Sequence, residues 1–143
     1  ISRKEYMSQE TLEGQLLIDH CARELFAKKA ENVSLLNLIG LSDVADYYLV
    51  ATCASEPQMR AILNGLQRSL KGTNVKLLGI DYKEGDRWAV ADFGEIMVHL
   101  FEEEERMNLS LDKLWSESTS TLLDAADYPL EEELDEESGD EYI

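Results

Sequence analysis

Residues 88–101 have the sequence WAVADFGEIMVHLF and carry the strongest structural signal in the chain. Two strand-like runs flank Gly94-Glu95, a pair suited to a two-residue hairpin turn. Side chains alternate between two faces along a strand, so this turn sets which residues share a face. One face contains only apolar residues: Ala89, Ala91, Phe93, Ile96, Val98 and Leu100. We expect this face to lie in the core.

The opposite face of the hairpin, here called the mixed face, combines aromatic, sulfur-containing, imidazole and acidic side chains. Its residues are Trp88, Val90, Asp92, Met97, His99 and Phe101. Aromatic residues and Met are enriched at the centres of protein interfaces, and Trp is a frequent energetic hot spot. The same pattern also fits a sheet covered by helices on both sides. Both interpretations remain open at this point.

The remaining elements are predicted from hydrophobic periodicity. Helical spacing extends from Ser8 or Gln9 to Ala30, and strand-like runs occupy residues 33–39, 47–53 and 75–80. Ser55, Pro57 and Gln58 form a helix-start signal with a capping box, and this helix is expected to end at Gly72. Glu102 to Glu105 is expected to open a short final helix. The order α-β-β-α-β-β-β-α predicts an α/β (α+β) domain with a mixed five-stranded sheet flanked by helices.

Charge is distributed unevenly along the 143 residues, whose formal net charge is −17. Residues 116–143 contain eleven carboxylates and no Lys or Arg, which leaves nineteen acids and thirteen bases in residues 1–115. Three segments are therefore predicted: a flexible N-terminus at 1–8, a folded domain at 9–115 and an acidic, disordered tail at 116–143. The acidic balance disfavours nucleic-acid binding, and it suits either a basic protein partner or an acidic protein with no such partner.

Neither a membrane segment nor a cofactor site is predicted. No apolar run is long enough to cross a bilayer, and the first ten residues do not resemble a signal peptide. Cys21 and Cys53 suggest a reducing compartment rather than a disulfide framework. Together with His20 and His99 they lack the close spacing of a zinc site, so we expect neither metal nor cofactor.

Several motifs resemble those of the Iojap-like ribosomal silencing factors. These are GLSDVADYYLVAT at residues 40–52, QMRAI at 58–62, Leu78-Gly79, the 88–101 hairpin, and LDKLW at 111–115. The resemblance extends from about Leu12 to Trp115 with the motifs in the same order. This agreement of separate motifs is more specific than any single one.

The resemblance implies a nucleotidyltransferase-like fold without nucleotidyltransferase activity. It also implies a translational repressor that binds the large ribosomal subunit through its basic protein fourteen. Bound there, the protein would block joining of the small subunit, chiefly when nutrients are short, and it could also act in large-subunit biogenesis. A bacterial cytoplasm is the expected location, with an organellar matrix as the alternative. A homodimer is also conceivable, because a mixed sheet exposes an edge.

In this family the Trp that opens the hairpin strand is an interface residue, which here is Trp88. We hypothesise that Trp88 and Phe101 fill an apolar pocket on the partner, while Asp92, Glu102 and Glu103 meet Lys or Arg at its rim. Met97, His99 and Leu109 complete the predicted partner-binding set. The family often has an aromatic residue where this chain has Leu109, and the tail after Trp115 lies beyond the usual family end.

Two other functions remain as alternatives. A metal-dependent nucleotidyltransferase would use Asp43, Asp46 and Asp92 to hold Mg²⁺, although the chain lacks a Gly-Ser phosphate loop ahead of them. In that case Asp43 and Asp46 would have to act despite a spacing of three residues, which more simply indicates that Asp43 bends a turn. The second alternative is an adaptor whose acidic tail recruits basic proteins.

Overall fold

The computed structural model describes residues 11–109 and 118–129. Within these residues the elements are three α-helices, six strands and one 3-10 helix. They are α1 (Gly14–Ala27), β1 (Glu31–Asn37), β2 (Tyr47–Cys53), α2 (Glu56–Ser69), β3 (Gly79–Asp81), β4 (Trp88–Asp92), β5 (Ile96–Glu102), α3 (Glu103–Leu109), β6 (Thr119–Leu122) and the 3-10 helix Ala125–Asp127. The order from α1 to α3 confirms the predicted α/β domain.

The strands form one mixed sheet in the order β3-β4-β5-β2-β1-β6. The central pair, β2 and β5, is parallel, and every other neighbouring pair is antiparallel. The prediction of a mixed sheet is confirmed, but the predicted number of five strands is wrong, because β6 adds a sixth.

β6 comes from the segment that composition assigned to a disordered tail. It pairs antiparallel with β1, and the Leu123 N–H donates to the Val33 carbonyl oxygen at 2.8 Å. The Tyr128 ring stacks on Phe26 with 5.5 Å between centroids. The side chains of Leu123 and Tyr128 pack against the core, and β6 pairs with the edge of β1. Residues 118–129 are therefore ordered, and the prediction of disorder is wrong for them. The N-terminal segment 1–8 and residues 110–117 and 130–143 lie outside the described residues.

The core lies between one face of the sheet and the two long helices. From α1 and α2 it receives fully buried side chains: Leu17, Cys21, Leu25, Met59, Ile62 and Leu66. From the hairpin it receives the predicted apolar face: Ala89, Ala91, Phe93, Ile96, Val98 and Leu100. Burying each large apolar side chain contributes about 1.5–3 kcal/mol. The prediction for this face of the hairpin is therefore confirmed.

Local capping determines where α2 begins. The Ser55 hydroxyl accepts the Gln58 N–H at 3.2 Å, as predicted. The Gln58 side-chain oxygen accepts the N–H of Ala54 at 2.6 Å, one residue before the position that a capping box requires. Its amide nitrogen donates to the Lys28 carbonyl at 2.9 Å and so ties the start of α2 to the end of α1.

Several predicted boundaries differ from the structure, among them those of β1, which is Glu31–Asn37 instead of 33–39. The strand predicted at residues 75–80 is limited to Gly79–Asp81, and Leu77 and Leu78 before it are exposed. α1 begins at Gly14, after an extended Glu13, because the Gly14 N–H is held by the Glu95 carboxylate at 2.7 Å. Apolar spacing alone reveals neither the contact between Gly14 and Glu95 nor the exposure of Leu77 and Leu78. No helix in the described ranges has the length and apolar character needed to cross a membrane.

Candidate protein-binding face

The mixed face lies on the side of the sheet opposite α1 and α2. The tight turn is formed as predicted, with Gly94 at φ +85° and the Phe93 N–H donating to the Ile96 carbonyl oxygen at 3.0 Å. This turn places three pairs of mixed-face residues directly across the hairpin: Trp88 with Phe101, Val90 with His99, and Asp92 with Met97. The predicted division of the hairpin into two faces is therefore confirmed.

Trp88 is the large exposed side chain of the mixed face, with 38% of its surface accessible. Its indole stacks on the Phe101 ring, with 5.1 Å between centroids and 23° between ring planes. The indole Nε1–H donates to His99 Nδ1 at 3.2 Å. The ring is thus held from below and along one edge, while a substantial part of it remains open to solvent.

Phe101 packs beneath the Trp88 indole and is not itself exposed for contact with a partner. It is 0% exposed and packs in a small cluster with Leu36, Leu38 and Val50. The prediction that Phe101 fills a pocket on the partner is therefore wrong in this structure. Alternation along β5 places Phe101 on the correct face, but it does not reveal that β1 and the residue after it cover this ring.

His99 also acts within the protein. It is 4% exposed, and its ring lies 4.4 Å from that of Tyr48 on the neighbouring strand. Burial lowers the pKa of His99 from 6.5 to about 4, so the imidazole is neutral at neutral pH and its Nδ1 can accept the indole N–H. The prediction that His99 contacts a partner directly is wrong here, because the side chain is buried beneath Trp88 and beside Tyr48.

Acidification is expected to destabilise the fold through His99. Between pH 6.5 and 4 the unfolded chain binds a proton on this residue that the folded chain does not, so stability falls as the pH drops through that range. Urea denaturation at pH 7 and pH 4.5 should show that the wild type loses about 2–3 kcal/mol more than His99→Phe. An equal loss in both proteins would contradict the assignment of His99 as a buried neutral imidazole.

The rim of the mixed face carries most of the other predicted binding residues. Asp92 and Met97 are half-buried, and one Asp92 carboxylate oxygen accepts the Gly94 N–H at 2.9 Å. Glu103 is exposed in the first turn of α3. The side chain of Leu109 lies outside the described part of the structure. Asp92, Met97, Glu103 and Leu109 therefore stay predictions.

A network of charges surrounds the exposed indole. Arg87 lies 3.6 Å from Glu102 and 3.6 Å from Glu104, so the predicted partner contact of Glu102 would compete with an internal ion pair. Both pairs are largely exposed and contribute little to stability. Trp88 also lines an open pocket of about 470 Å³, whose other lining residues are Asp81, Gly85, Asp86, Arg87, Val90 and Glu105. The pocket is predominantly acidic beside an aromatic ring.

Sequence reasoning missed that β2 and α3 also place side chains on the mixed-face side of the sheet. Tyr48 lies on the same side as the mixed face, because β2 runs parallel to β5 and pairs Tyr48 with Met97. α3 covers the adjoining part of the sheet, where Arg106 donates to the Thr52 hydroxyl at 2.8 Å. The covered-sheet alternative is thus partly correct, because α3 packs on part of this side of the sheet, and the interface interpretation stays a prediction while the indole remains open. The alternation of Tyr48, Val50 and Thr52 was the available signal.

The residues considered for catalysis or metal binding are not brought together. Among the described residues, no group of three or more His, Cys, Asp or Glu side chains is placed to hold a metal ion, and this includes Asp43, Asp46 and Asp92. Asp43 is exposed, and the adjacent turn is held by the Ser42 hydroxyl, which accepts the Val44 N–H at 3.1 Å.

Neither cysteine is prepared to act as a ligand or nucleophile. Burial, with a smaller contribution from Glu24, raises the pKa of the Cys21 thiol to about 12. Burial and the Glu102 carboxylate raise the pKa of Cys53 to about 11. The thiolate is the reactive and metal-binding form, so both residues serve as small core side chains.

Comparison with known proteins identifies a family model that matches almost the whole chain and relatives that match most of it. The family model "Ribosomal silencing factor during starvation" matches residues 9–141. A ribosomal silencing factor of Halalkalibacterium halodurans is 31% identical over 113 residues, which cover 79% of this chain and 97% of that protein. A mouse protein, "Mitochondrial assembly of ribosomal large subunit protein 1", is 26% identical over 102 residues, covering 69% of this chain and 45% of the mouse protein.

The fold agrees with a solved structure as well. The crystal structure of a Chromobacterium violaceum protein superposes with a TM-score of 0.69 at 26% identity, covering 73% of this chain and 88% of that one. The family match continues past Trp115, so the expectation that the tail lies beyond the family end is wrong. With a family model that spans residues 9–141 and a relative covered over 97% of its length, the chain belongs to the family of ribosomal silencing factors during starvation.

Proposed function

We propose that this chain is a non-catalytic translational repressor that binds the large ribosomal subunit through its basic protein fourteen and blocks joining of the small subunit. It would act chiefly under nutrient limitation, in a bacterial cytoplasm, and would also take part in large-subunit biogenesis. Support comes from the family and from the mouse relative, whose name refers to assembly of the large subunit. The observation that carries the proposal is the open indole of Trp88 on the mixed face.

Trp88 has the physical properties of an interface anchor. Its ring is already oriented by Phe101 and His99, so binding would cost little additional side-chain entropy. A partner that covers the ring would gain the burial of a large apolar surface at the centre of the contact. The surrounding carboxylates would attract a basic protein, which increases the association rate and disfavours acidic partners.

Repression by occlusion requires occupancy and no chemical step. If the chain and the small subunit compete for one surface, binding of the chain stabilises the separated subunits. At a free concentration about 100 times its Kd, it would disfavour subunit joining by about 2.7 kcal/mol, or about 100-fold. The proposed mechanism therefore depends on affinity and on the concentration of the repressor.

Sedimentation with purified large subunits, small subunits and joined ribosomes tests the proposal. We expect the chain to co-sediment with large subunits only and to reduce the joining of separated subunits. Binding to small subunits, or unchanged joining at saturating occupancy, would exclude occlusion.

A chain that ends at Pro129 keeps β6 and removes the acidic residues after it, and we expect it to bind as well as the full chain. Loss of binding in that variant would instead support the tail-driven adaptor.

Self-association through strand pairing would use one of the two outer edges of the sheet. β3 and β6 are the two outer strands of the sheet, so neither edge is singled out for strand pairing. Light scattering of the chain over a range of concentrations would detect such a dimer.

A further inference from the structure

α3 is too short to be stable without contacts from the rest of the domain. Its described part, Glu103–Leu109, has seven residues, and its first turn contains Glu103, Glu104 and Glu105, here called the acidic turn. Isolated helices of this length are unstable in water, and adjacent like charges repel one another. Its position against the sheet must therefore come from tertiary contacts.

Arg106 supplies contacts that join α3 to two strands. Its guanidinium donates to the Asn32 carbonyl at 2.7 Å, to the Thr52 hydroxyl at 2.8 Å and to the Ser34 hydroxyl at 3.2 Å. The acceptors occupy three places on β1 and β2, and Thr52 is only 6% exposed. A guanidinium can satisfy several acceptors at once in a fixed geometry, which a lysine ammonium cannot reproduce.

The β1 strand is shaped to provide one of these acceptors. Its register shifts between Glu31 and Ser34, and Asn32 has φ +50°, a conformation that non-glycine residues rarely adopt. Such a bulge interrupts regular pairing and redirects backbone groups. The Asn32 carbonyl bonds to Arg106 at this interruption.

We infer that Arg106 is a positioning residue for the partner-binding face. By holding α3 on β1 and β2 it keeps the acidic turn beside Trp88, where Glu105 and the indole line the same pocket. The inference rests on the proposed function and adds a residue to it. Arg106 acts through α3 and is assigned no contact with the partner.

The Arg106→Gln variant distinguishes a positioning role of Arg106 from the long-range effect of its positive charge. The substitution makes an already acidic chain more negative, so electrostatic steering alone predicts faster association with a basic partner. Positioning predicts the opposite: an association rate constant with large subunits about three- to tenfold lower at low salt, because the carboxylates are no longer held beside the indole. Stopped-flow association, at a temperature where circular dichroism shows every variant folded, measures this constant. An unchanged or higher constant would overturn the inference.

Charge-neutral variants provide matched tests. Thr52→Val with Ser34→Ala removes two acceptors and leaves Arg106 in place, and Arg106→Lys keeps the charge but not the geometry. Both should lower the association rate constant, whereas Lys71→Gln, exposed after α2, should not. If these variants associate like the wild type while Trp88→Ala binds weakly, the inference fails and the proposed function stands. If Trp88→Ala also binds like the wild type, the proposed face itself is wrong.

Discussion

Replacing Trp88 by alanine is expected to weaken binding to the large subunit by about 30- to 1000-fold, which corresponds to about 2–4 kcal/mol. The indole is the exposed aromatic group of the mixed face, and Phe101 and His99 hold it in place. Truncation removes the apolar surface that a partner would bury and leaves a gap above Phe101. Equilibrium sedimentation or fluorescence anisotropy with labelled chain, at matched salt, measures the change.

Leu122→Ala is the matched control for this prediction. Leu122 is 69% exposed but lies in β6, at the far edge of the sheet. Its truncation should leave affinity within about twofold of the wild type, because isolated exposed apolar residues contribute little. Equal affinity of Trp88→Ala and wild type would show that the mixed face is not the binding surface. Similar losses in both variants would indicate a general effect on folding.

Replacing Phe101 by alanine is expected to have the largest effect on stability, lowering the free energy of unfolding by about 3–5 kcal/mol. The ring is completely buried between the indole and the cluster formed by Leu36, Leu38 and Val50. Its removal leaves a cavity under the proposed binding surface. Urea denaturation followed by far-ultraviolet circular dichroism measures the loss.

Phe101→Leu retains much of the apolar volume and should cost less, about 1.5 kcal/mol or a little more. Trp88→Ala should cost less than Phe101→Ala, because part of the indole already contacts solvent. This ranking of the losses in unfolding free energy distinguishes the two roles: Phe101 contributes mainly to the stability of the fold, and Trp88 mainly to the affinity for the partner. A Phe101→Ala protein as stable as the wild type, yet unable to bind, would restore Phe101 as a direct contact.

The features predicted correctly are those encoded by neighbouring residues. The Gly94-Glu95 turn sets the hairpin register, and alternation then assigns both faces. Ser55 and Gln58 lie three residues apart, so the start of α2 is visible in the sequence. Both signals act over a few residues and need no knowledge of the rest of the fold.

The features that were missed depend on contacts between distant segments. Phe101 and His99 have the pattern of interface residues, and only the placement of β1, β2 and Trp88 shows that they are buried. The strand β6 is made of Thr and Ser with one Leu and lies in the acidic C-terminal segment, which as a whole has a composition typical of disorder, yet Leu123 and Tyr128 pack against the core. Arg106 lies in an acid-rich run and has no local signal for its three acceptors.

The parallel pairing of β2 with β5 has a consequence for how the chain folds. Each outer part of the sheet contains a local antiparallel pair, whereas the central seam joins Tyr47 to Ile96, about fifty residues apart. Closing so large a loop costs more conformational entropy than forming a hairpin, so the seam forms after the hairpins, and β6, which pairs with β1 across more than eighty residues, closes a longer loop still. Until it closes, the apolar faces of both halves lack their shared core, and that interval is when a newly made chain is most exposed to aggregation.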